Sequence, residues 1–541
     1  MVEPVAGTRS VSRSAAGMGV ATAVSRGFGF VRVLAIAGIL GTTYLGNTFT
    51  SSNYVSNVLF ELLAAGALSA VLVPTLVERL EHGDQAEAER LAGGILGRAL
   101  LGLGVVTIAG VAAAPLLARL LASGVDSPSI AAQQRDLATF LLRFFVPQVL
   151  LYALGTVAIA VLYAKRRFVI TAIAPIGNTI MIVAGLVVFR LLAGDSTDLD
   201  LSSAEKLVLA LSGTLGVAAF VGIPALALRR TGFRLRPRIR RGDEGVNRLT
   251  RLSGWAILQH AQIGLLLGAA IVLGNSVEGG TVAYQVAWVF FLAPYGVLAQ
   301  PIHTAILPEL SLEAARHDLG AFARSLRWSL DAMAMLVVPV SAAMIALARP
   351  GMIVVAFGEA AENGVGLLTA GVASLAIGLF PYGAFLLLAR AYYALGDSRT
   401  PAVVAIATGI VGVIAMGIGA LVTEGAARVA ALGIGHTIAY VIGCVVLCFG
   451  LSRRTGHPIV PAALPKALTL SAVLGAAGWW IAHTIDPSGR LENAALVVAI
   501  AVGGAALYLL AVRVTGGRVV RGRFSEPEVS ELEPDSAEVE A

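Results

Sequence analysis

Apolar runs long enough to cross a membrane recur along almost the whole chain. A helix needs about 20 apolar residues to span a bilayer. Only 13% of the residues are charged, whereas a soluble chain carries about 25%, so a soluble fold could not cover its surface. The pattern predicts an all-α polytopic membrane protein of about 14 transmembrane helices. The predicted spans are 17–40, 53–77, 93–121, 137–163, 168–192, 207–228, 253–274, 281–307, 328–348, 365–393, 401–423, 427–451, 462–484 and 493–515.

Lysine and arginine are distributed unequally between alternate loops. The loop from Arg229 to Arg251 holds nine arginines, whereas the loop near 194–206 is polar and acidic. Basic loops remain on the cytoplasmic side of a membrane. We therefore predict that both termini are cytoplasmic. The excess of positive charge reflects this topology, and it does not indicate nucleic-acid binding.

Two pairs of prolines indicate an internal repeat. The interval in sequence from Pro74 to Pro308 is the same as the interval from Pro147 to Pro381. The shared offset predicts two six-helix lobes in the same orientation, related by a pseudo-two-fold axis along the membrane normal. Such lobes place a cavity between them near the middle of the membrane, which is the architecture of an alternating-access transporter.

The repeat and the central arginine-rich loop divide the chain into predicted segments. The terminal segment after the last span holds seven acidic residues and no basic residue in its final 18 positions. We predict that it is disordered. The segments are a cytoplasmic N-terminus (1–16), an N-lobe of helices 1–6 (17–228), a linker (229–251), a C-lobe of helices 7–12 (252–451), helices 13–14 (462–515) and the acidic cytoplasmic tail (516–541).

Two arginines lie inside the first span. A charge at the centre of a bilayer costs about 2.5–3.5 kcal/mol on insertion scales, so it usually faces a cavity or a partner. At 100° per residue, Arg26 and Arg32 lie about 120° apart around the helix, with Gly29 between them. They can therefore flank a notch that suits a bulky anionic group. The alternative is that both arginines pair with acids or extend to the membrane surface.

Glu61 and three histidines are the other polar candidates within the spans. Glu61 and Arg32 lie at matching depths in consecutive antiparallel helices, so we expect them to form a charge pair. His260 and His303 are candidates for proton coupling. A lone histidine in a membrane helix is more often a hydrogen-bond partner between helices. His436 also lies in a span.

Several motifs stand out along the spans. The first span contains Ser25-Arg26-Gly27-Phe28-Gly29-Phe30-Val31-Arg32, and the second contains Gly66-Ala67-Leu68-Ser69. The most specific motif is the stretch from Arg390 to Pro401, with Asp397 and Arg399 within it. These motifs resemble those of the MurJ/MviN family of lipid II flippases, and the similarity extends over nearly all of the predicted helices.

This resemblance implies the fold of the MOP exporters, in which the last two helices extend a lipid-holding groove. It implies a transporter and not an enzyme, with no cofactor and no metal. Its substrate would be lipid II, a polyprenyl-diphosphate-linked glycan, carried to the outer leaflet of the bacterial cytoplasmic membrane among membrane lipids. Arg26 and Arg32 match the arginines of the family's cavity. Cell-wall synthesis or division proteins are candidate partners of the acidic tail.

The chain departs from the family at several cavity positions. Phe60 and Val289 stand where further arginines are expected, and Val33 and Asn47 stand where acids are expected. A cavity with fewer cations leaves open a different polyprenyl-diphosphate-linked glycan as the substrate. A drug or cation antiporter would need intramembrane acids, and a membrane glycosyltransferase would need a substantial outer loop. A non-transporting scaffold is a further alternative.

Overall fold

A computed structural model describes residues 7–60, 66–238 and 254–515 of the chain. These residues form helices joined by short loops. The helices of the first half are α1 (Gly7–Ile39), α2 (Tyr44–Phe60), α3 (Gly66–Glu81), α4 (Gln85–Ala112), α5 (Ala114–Leu121), α6 (Pro128–Phe145), α7 (Gln148–Ala164), α8 (Phe168–Ala193) and α9 (Ser203–Arg229).

The second half continues in the same way, with two short π-helical segments at Tyr295–Ala299 and Ala360–Gly364. Its helices are α10 (Gly254–Gly274), α11 (Gly280–Pro294), α12 (Gln300–Ala315), α13 (Leu319–Ala346), α14 (Ala348–Val355), α15 (Val365–Ile377), α16 (Leu379–Ala394), α17 (Arg399–Val422), α18 (Gly425–Thr455), α19 (Leu464–Ile485) and α20 (Arg490–Val514).

Within these described ranges, 12 helices are long and apolar enough to cross a membrane. The all-helical membrane fold is thereby confirmed. The predicted second span, 53–77, includes residues 61–65, which lie outside the described ranges. The seventh contributes only the shorter apolar stretch Ala261–Gly274. The total of 14 spans therefore stays a prediction.

Some helix ends differ from those expected from hydropathy. α2 begins at Tyr44, well before the predicted start at residue 53. Its first turns are polar, but the hydroxyl of Thr48 donates to the carbonyl of Tyr44 at 2.7 Å, and Ser51 and Ser52 are buried. Because these hydroxyl groups lie against other helices and not against lipid, hydropathy places the start of α2 too late.

The helix bounds repeat at a constant interval along the chain. The matched pairs are α3 with α12, α4 with α13 and α5 with α14, whose first and last residues are separated by the same interval as Pro74 and Pro308. The caps repeat as well. The side chain of Asp84 accepts a hydrogen bond from the main-chain N–H of Glu87, and that of Asp318 accepts one from Ala321. The structure thus contains the two-copy repeat that the proline spacing predicts.

Buried apolar side chains form separate clusters in the two halves. The largest cluster is built from residues between Leu266 and Ile459, with Val33 and Ala37 of α1. Two others lie within the first half, at 72–233 and 35–210. The exact lobe and linker boundaries stay predictions.

The last two helices pack against α13. The hydroxyl of Tyr508 in α20 donates to the main-chain carbonyl of Met335 at 3.0 Å. Ala467 of α19 and Val512 of α20 belong to the same small buried cluster as Met335 and Val338. Helices α19 and α20 therefore lie against the outer surface of the second half.

Candidate functional site

The two halves of the chain are joined at the end where the loops are predicted to be extracytoplasmic. Asn47, at the start of α2, is fully buried. Its Nδ2 group donates to the carbonyl of Val277 at 2.7 Å, and its Oδ1 atom accepts from the N–H groups of Thr281 and Val282 at 3.0 and 3.3 Å. Asn47 thus caps the N-terminus of α11 from the opposite half of the protein.

The segment before α15 closes the same end from a second side. The ring of Phe357 lies directly over Gly38, where a side chain of any size would collide with it. Glu359 approaches Gly41, and its carboxylate lies 3.8 Å from the guanidinium of Arg190 in α8. These contacts, together called the seal, close the space between the two halves (the gap) at this end.

Arg32 lies in a polar cavity just inside the seal. The cavity has a volume of about 60 Å³ and opens to its surroundings. Asn53, Asn57 and Gln285 lie in its wall. The Nε2 atom of Gln285 is buried and has no hydrogen-bond partner among the described residues. An arginine beside an unpaired amide donor makes this cavity suitable for water or for an anionic group.

Arg26 lies further from the seal, on the part of α1 that is exposed in the gap. Its guanidinium covers Gly296 of the π-helical segment Tyr295–Ala299. Its Nη2 group donates to Oε1 of Gln300 at 3.2 Å. Within the described ranges, no carboxylate lies within 4.0 Å of Arg26 or Arg32. Among the described residues, Arg26 therefore has no acid beside it, and its charge is available to an anionic ligand. The predicted partner of Arg32, Glu61, lies outside these ranges.

Gly29 faces open space, as the notch interpretation expects. A methyl group placed on Gly29 would meet no atom within 4 Å, and the same is true of Gly27. A bulky group of a ligand could therefore approach Arg26 along this side of α1. The role of Arg26, Gly29 and Arg32 in substrate binding stays a prediction.

Of the other predicted polar residues, the structure describes the side chain of His303 but not those of Glu61 and His260. Glu61 lies outside the described residues, so its pairing with Arg32 stays a prediction. The side chain of His260 is also outside the description, although its main chain belongs to α10. His303 is fully buried, with its ring 5.8 Å from that of Tyr295, and neither ring nitrogen has a hydrogen-bond partner in the described part of the chain.

Val289 and Phe60 stand where the family is expected to have arginines, and the structure describes the side chain of Val289 only. Val289 is partly buried and packs on the core of the second half. Gln285, one turn earlier in α11, lines the Arg32 cavity, whereas Val289 does not. The main chain of Phe60 ends α2, and its side chain is outside the description. Residue 289 therefore supplies no cation to this side of the cavity.

The stretch from Arg390 to Pro401 contains the end of α16, a turn and the start of α17. Asp397 accepts two hydrogen bonds from Thr400, at 2.9 and 2.6 Å, and pairs with Arg454 of α18 at 2.6 Å. Burial tends to raise the pKa of Asp397, but these hydrogen bonds and the Arg454 charge lower it below its usual value. Arg399 is exposed, Pro401 is buried and Arg390 is half-buried. We infer that Asp397 ties the α16–α17 turn to α18.

A large apolar groove lies between α13, α19 and α20. Its volume is about 540 Å³, and its wall includes Tyr508 and Phe290. The ring of Phe290 meets that of Phe30 in α1 edge to face, with centroids 5.1 Å apart. The groove therefore extends from the last two helices to the contact between α11 and α1, near Arg26.

Comparison with known proteins places these features in a family. A sequence profile described as "Lipid II flippase MurJ" matches residues 36–510. The chain is 25% identical over 529 residues to the "Probable lipid II flippase MurJ" of Haemophilus influenzae, which covers 91% of this chain and 98% of that protein. It is 27% identical over 483 residues to the Rhizobium tropici protein of the same name, with 87% of each chain covered.

Two solved structures share the fold. One is a "Lipid II flippase MurJ, inward closed conformation", with a TM-score of 0.71, 16% identity, and coverage of 92% of this chain and 99% of that one. The other is an inward-facing multidrug resistance MATE family transporter of the MOP superfamily. Its TM-score is 0.61 at 14% identity, covering 78% of this chain and 94% of that one.

The helical bundle, its internal repeat and these likenesses define a multi-pass membrane protein with the fold of the MOP superfamily transporters. Because the family profile matches most of its length, the chain belongs to the lipid II flippase MurJ family. The resemblance that the sequence motifs indicate is thereby confirmed. The family is one of membrane transporters.

Three residues of the site are not predicted from the sequence. Gly296 and Gln300 meet Arg26, and Asn47 joins the halves. The sequence singles out Asn47 only as a departure from an expected acid. Each contact joins one half of the chain to the other, and nothing in the local sequence pattern signals it.

Proposed function

We propose that this protein carries lipid II from the inner to the outer leaflet of the bacterial cytoplasmic membrane by alternating access, with both termini in the cytoplasm. The relatives named above are described as lipid II flippases. Lipid II bears a diphosphate, which must pass a region where an unpaired charge is costly. The chain supplies fixed cations for that passage in Arg26 and Arg32.

The exposed guanidinium of Arg26 is the observation that carries this proposal. It lies beside the open notch at Gly29 and has only the neutral amide of Gln300 as a hydrogen-bond partner among the described residues. Guanidinium donors match the spacing of phosphate oxygens and can bind them in bidentate fashion. A cation that no described acid holds can accept and release a diphosphate.

The seal at one end supports the alternating-access part of the proposal. Asn47 and Glu359 hold the halves together at the end predicted to be extracytoplasmic. Arg26 lies towards the opposite end, where α1 is exposed. We infer a state that receives substrate from the cytoplasm. Transport would then require these outer contacts to break while contacts form at the cytoplasmic end.

The apolar groove supplies a place for the polyprenyl tail. It is lined almost entirely by aliphatic and aromatic side chains of α13, α19 and α20, and it reaches Phe290. A tail in this groove would remain in an apolar environment while the headgroup occupies the polar gap beside Arg26. This division matches the chemistry of an amphipathic substrate.

Depletion of the protein tests this function directly. If the proposal holds, cells that lose the protein accumulate lipid II on the cytoplasmic side, and newly made lipid II becomes inaccessible to a lipid-II-cleaving enzyme added outside. Re-expression of the wild-type protein restores access. Normal access in depleted cells would contradict the assignment.

A different polyprenyl-diphosphate-linked glycan is the second candidate substrate. The observation that favours it is Val289, which stands where an arginine is expected for the family and packs on the core of the second half. Accumulation of another polyprenyl-linked precursor in the depletion experiment would identify it. The drug antiporter is disfavoured because the charges described within the first span, Arg26 and Arg32, are cations. We also propose that the acidic tail contacts cell-wall synthesis or division proteins.

A further inference from the structure

The contact between Arg26 and Gln300 is a bond between the two halves of the protein. Arg26 belongs to α1, and Gln300 is the first residue of α12, 274 positions later. Within the described ranges it is the one hydrogen bond that the guanidinium makes. The other N–H groups of the five that an arginine carries are therefore available.

The guanidinium of Arg26 lies directly against the main chain at Gly296. A Cβ atom at Gly296 would overlap the Nη1 atom of Arg26, so only a glycine allows the guanidinium to lie this close to the helix. Gly296 belongs to the π-helical segment Tyr295–Ala299, and π-helical turns occur frequently at functional sites. Gly296 and Gln300 together form a seat for Arg26, open on the side that faces the gap.

A diphosphate can replace Gln300 as the hydrogen-bond partner of Arg26, because Gln300 is uncharged. Gln300 offers a neutral carbonyl oxygen at 3.2 Å. A diphosphate offers charged oxygens, which form shorter and stronger hydrogen bonds with guanidinium and can engage two N–H groups at once. A carboxylate at this position would instead hold Arg26 in an ion pair that competes with the substrate.

We propose that Gln300 is the hydrogen-bond partner of Arg26 while the site is empty. This hydrogen bond, the resting contact, holds α1 against α12, and it breaks when a diphosphate binds the guanidinium of Arg26. The proposal rests on the proposed function, since it takes lipid II as the ligand. Gln300 acts through Arg26, so it is a positioning residue and not a ligand of the substrate. Substrate binding would thus release one contact between the halves.

Four proteins test this inference: the wild type and the variants Gln300→Glu, Gln300→Leu and Thr304→Glu. Each is purified at full length, placed in phospholipid nanodiscs and titrated with lipid II. Gln300→Glu converts the seat into an ion pair and should weaken binding at least about tenfold. Gln300→Leu removes the acceptor and should leave binding unchanged or make it tighter.

Thr304→Glu is the matched control for simple charge repulsion. Thr304 is exposed one turn after Gln300 on the same helix, so Thr304→Glu adds the same charge nearby, while the hydrogen bond of Arg26 goes to Gln300. It should weaken binding much less than Gln300→Glu. Equal losses in Gln300→Glu and Thr304→Glu would overturn the proposal. So would a loss in Gln300→Leu as large as that in Arg26→Ala, because Gln300 would then bind the substrate itself.

A measurement without lipid II separates this inference from the proposed function. Gln300→Glu should raise the melting temperature of the substrate-free protein, and the increase should vanish in the Arg26→Ala background. An increase that persists without Arg26, or no increase at all, overturns the resting contact. If that coupling is present and the wild type fails to bind lipid II, the resting contact stands and the proposed substrate is wrong.

Discussion

Asn47 accepts a hydrogen bond from the main-chain N–H of Thr281 at 3.0 Å, and the two residues are 234 positions apart. That interval is also the spacing of the internal repeat, so equivalent positions of the two copies meet each other across the gap. The contact is buried on both sides, with Asn47 and Thr281 fully shielded. It is the centre of the seal between the halves.

Loss of the Asn47 side chain should weaken this seal. In Asn47→Ala, the N–H groups of Thr281 and Val282 and the carbonyl of Val277 lose their partner while buried. We expect the free energy of unfolding to fall by ~1–3 kcal/mol. Asn47→Asp loses the donor to Val277 but keeps the acceptor at the N-terminus of α11, where negative charge is favourable, so its loss should be smaller than that of Asn47→Ala. Chemical denaturation of the substrate-free protein measures both, and equal losses would contradict the capping role.

The predicted orientation can be tested with serine-to-cysteine variants in exposed loops. Ser196 and Ser488 lie in loops predicted to be extracytoplasmic, and Ser398 lies in a loop predicted to be cytoplasmic; all three are exposed. A membrane-impermeant thiol reagent added to intact cells should label the first two and spare the third. Labelling of Ser398→Cys before permeabilisation would reverse the orientation.

Asp397 should stabilise the turn between α16 and α17 in a pH-dependent way. Its pKa is lowered in the folded protein, so its contribution is present above the usual pKa of 3.8 and is lost as the pH falls through the lower folded value. Solvent screens part of its ion pair with Arg454, which keeps the contribution small. Asp397→Asn should therefore reduce stability by no more than about 1 kcal/mol at pH 7, and the difference from wild type should disappear only at strongly acidic pH.

Thermal unfolding across a pH series measures this difference. Ser398→Ala is a suitable control, because Ser398 is exposed in the same turn and makes no side-chain cap. A variant Asp397→Asn that is as stable as wild type at neutral pH would contradict the tie between Asp397 and Arg454.

The predicted pair of Arg32 and Glu61 can be tested by charge exchange. Glu61→Gln should reduce membrane levels of the protein, because it would leave Arg32 with an uncompensated charge. The double variant Arg32→Glu with Glu61→Arg should recover part of that loss. Independent, additive losses would argue against a contact.

The fold can be predicted well from the sequence, because membrane helices and repeats leave long-range periodic signals. The interval between Pro74 and Pro308 is the interval between the helices that contain them. Hydropathy places the start of α2 too late because Ser51 and Ser52 are polar yet lie buried among helices. It cannot distinguish a polar residue buried in protein from one in a loop.

The site can be predicted only in part. Arg26 and Gly29 can be identified because a charge inside an apolar run is conspicuous, and because the angular spacing along one helix can be calculated. Their partners Gly296 and Gln300 come from the other half of the chain, so only the tertiary structure reveals them. His303 stands out in the sequence for its residue type, and the structure encloses it in the second half.

Arg26 is the residue on which the proposed transport depends most. Arg26→Ala should yield a protein that is folded and inserted at normal levels but does not move lipid II. Arg26→Lys should retain partial activity, because the charge survives and the bidentate geometry does not. Arg119→Ala, which removes an exposed arginine of a different helix, α5, should behave as wild type.

The most direct measurement is the access of newly made lipid II to a cleaving enzyme added outside cells that express only one of these variants. We predict that cleavage is abolished in Arg26→Ala, reduced in Arg26→Lys and normal in Arg119→Ala, at equal membrane protein levels. Normal cleavage in Arg26→Ala would contradict the proposed transport mechanism and would make Arg26 a structural arginine.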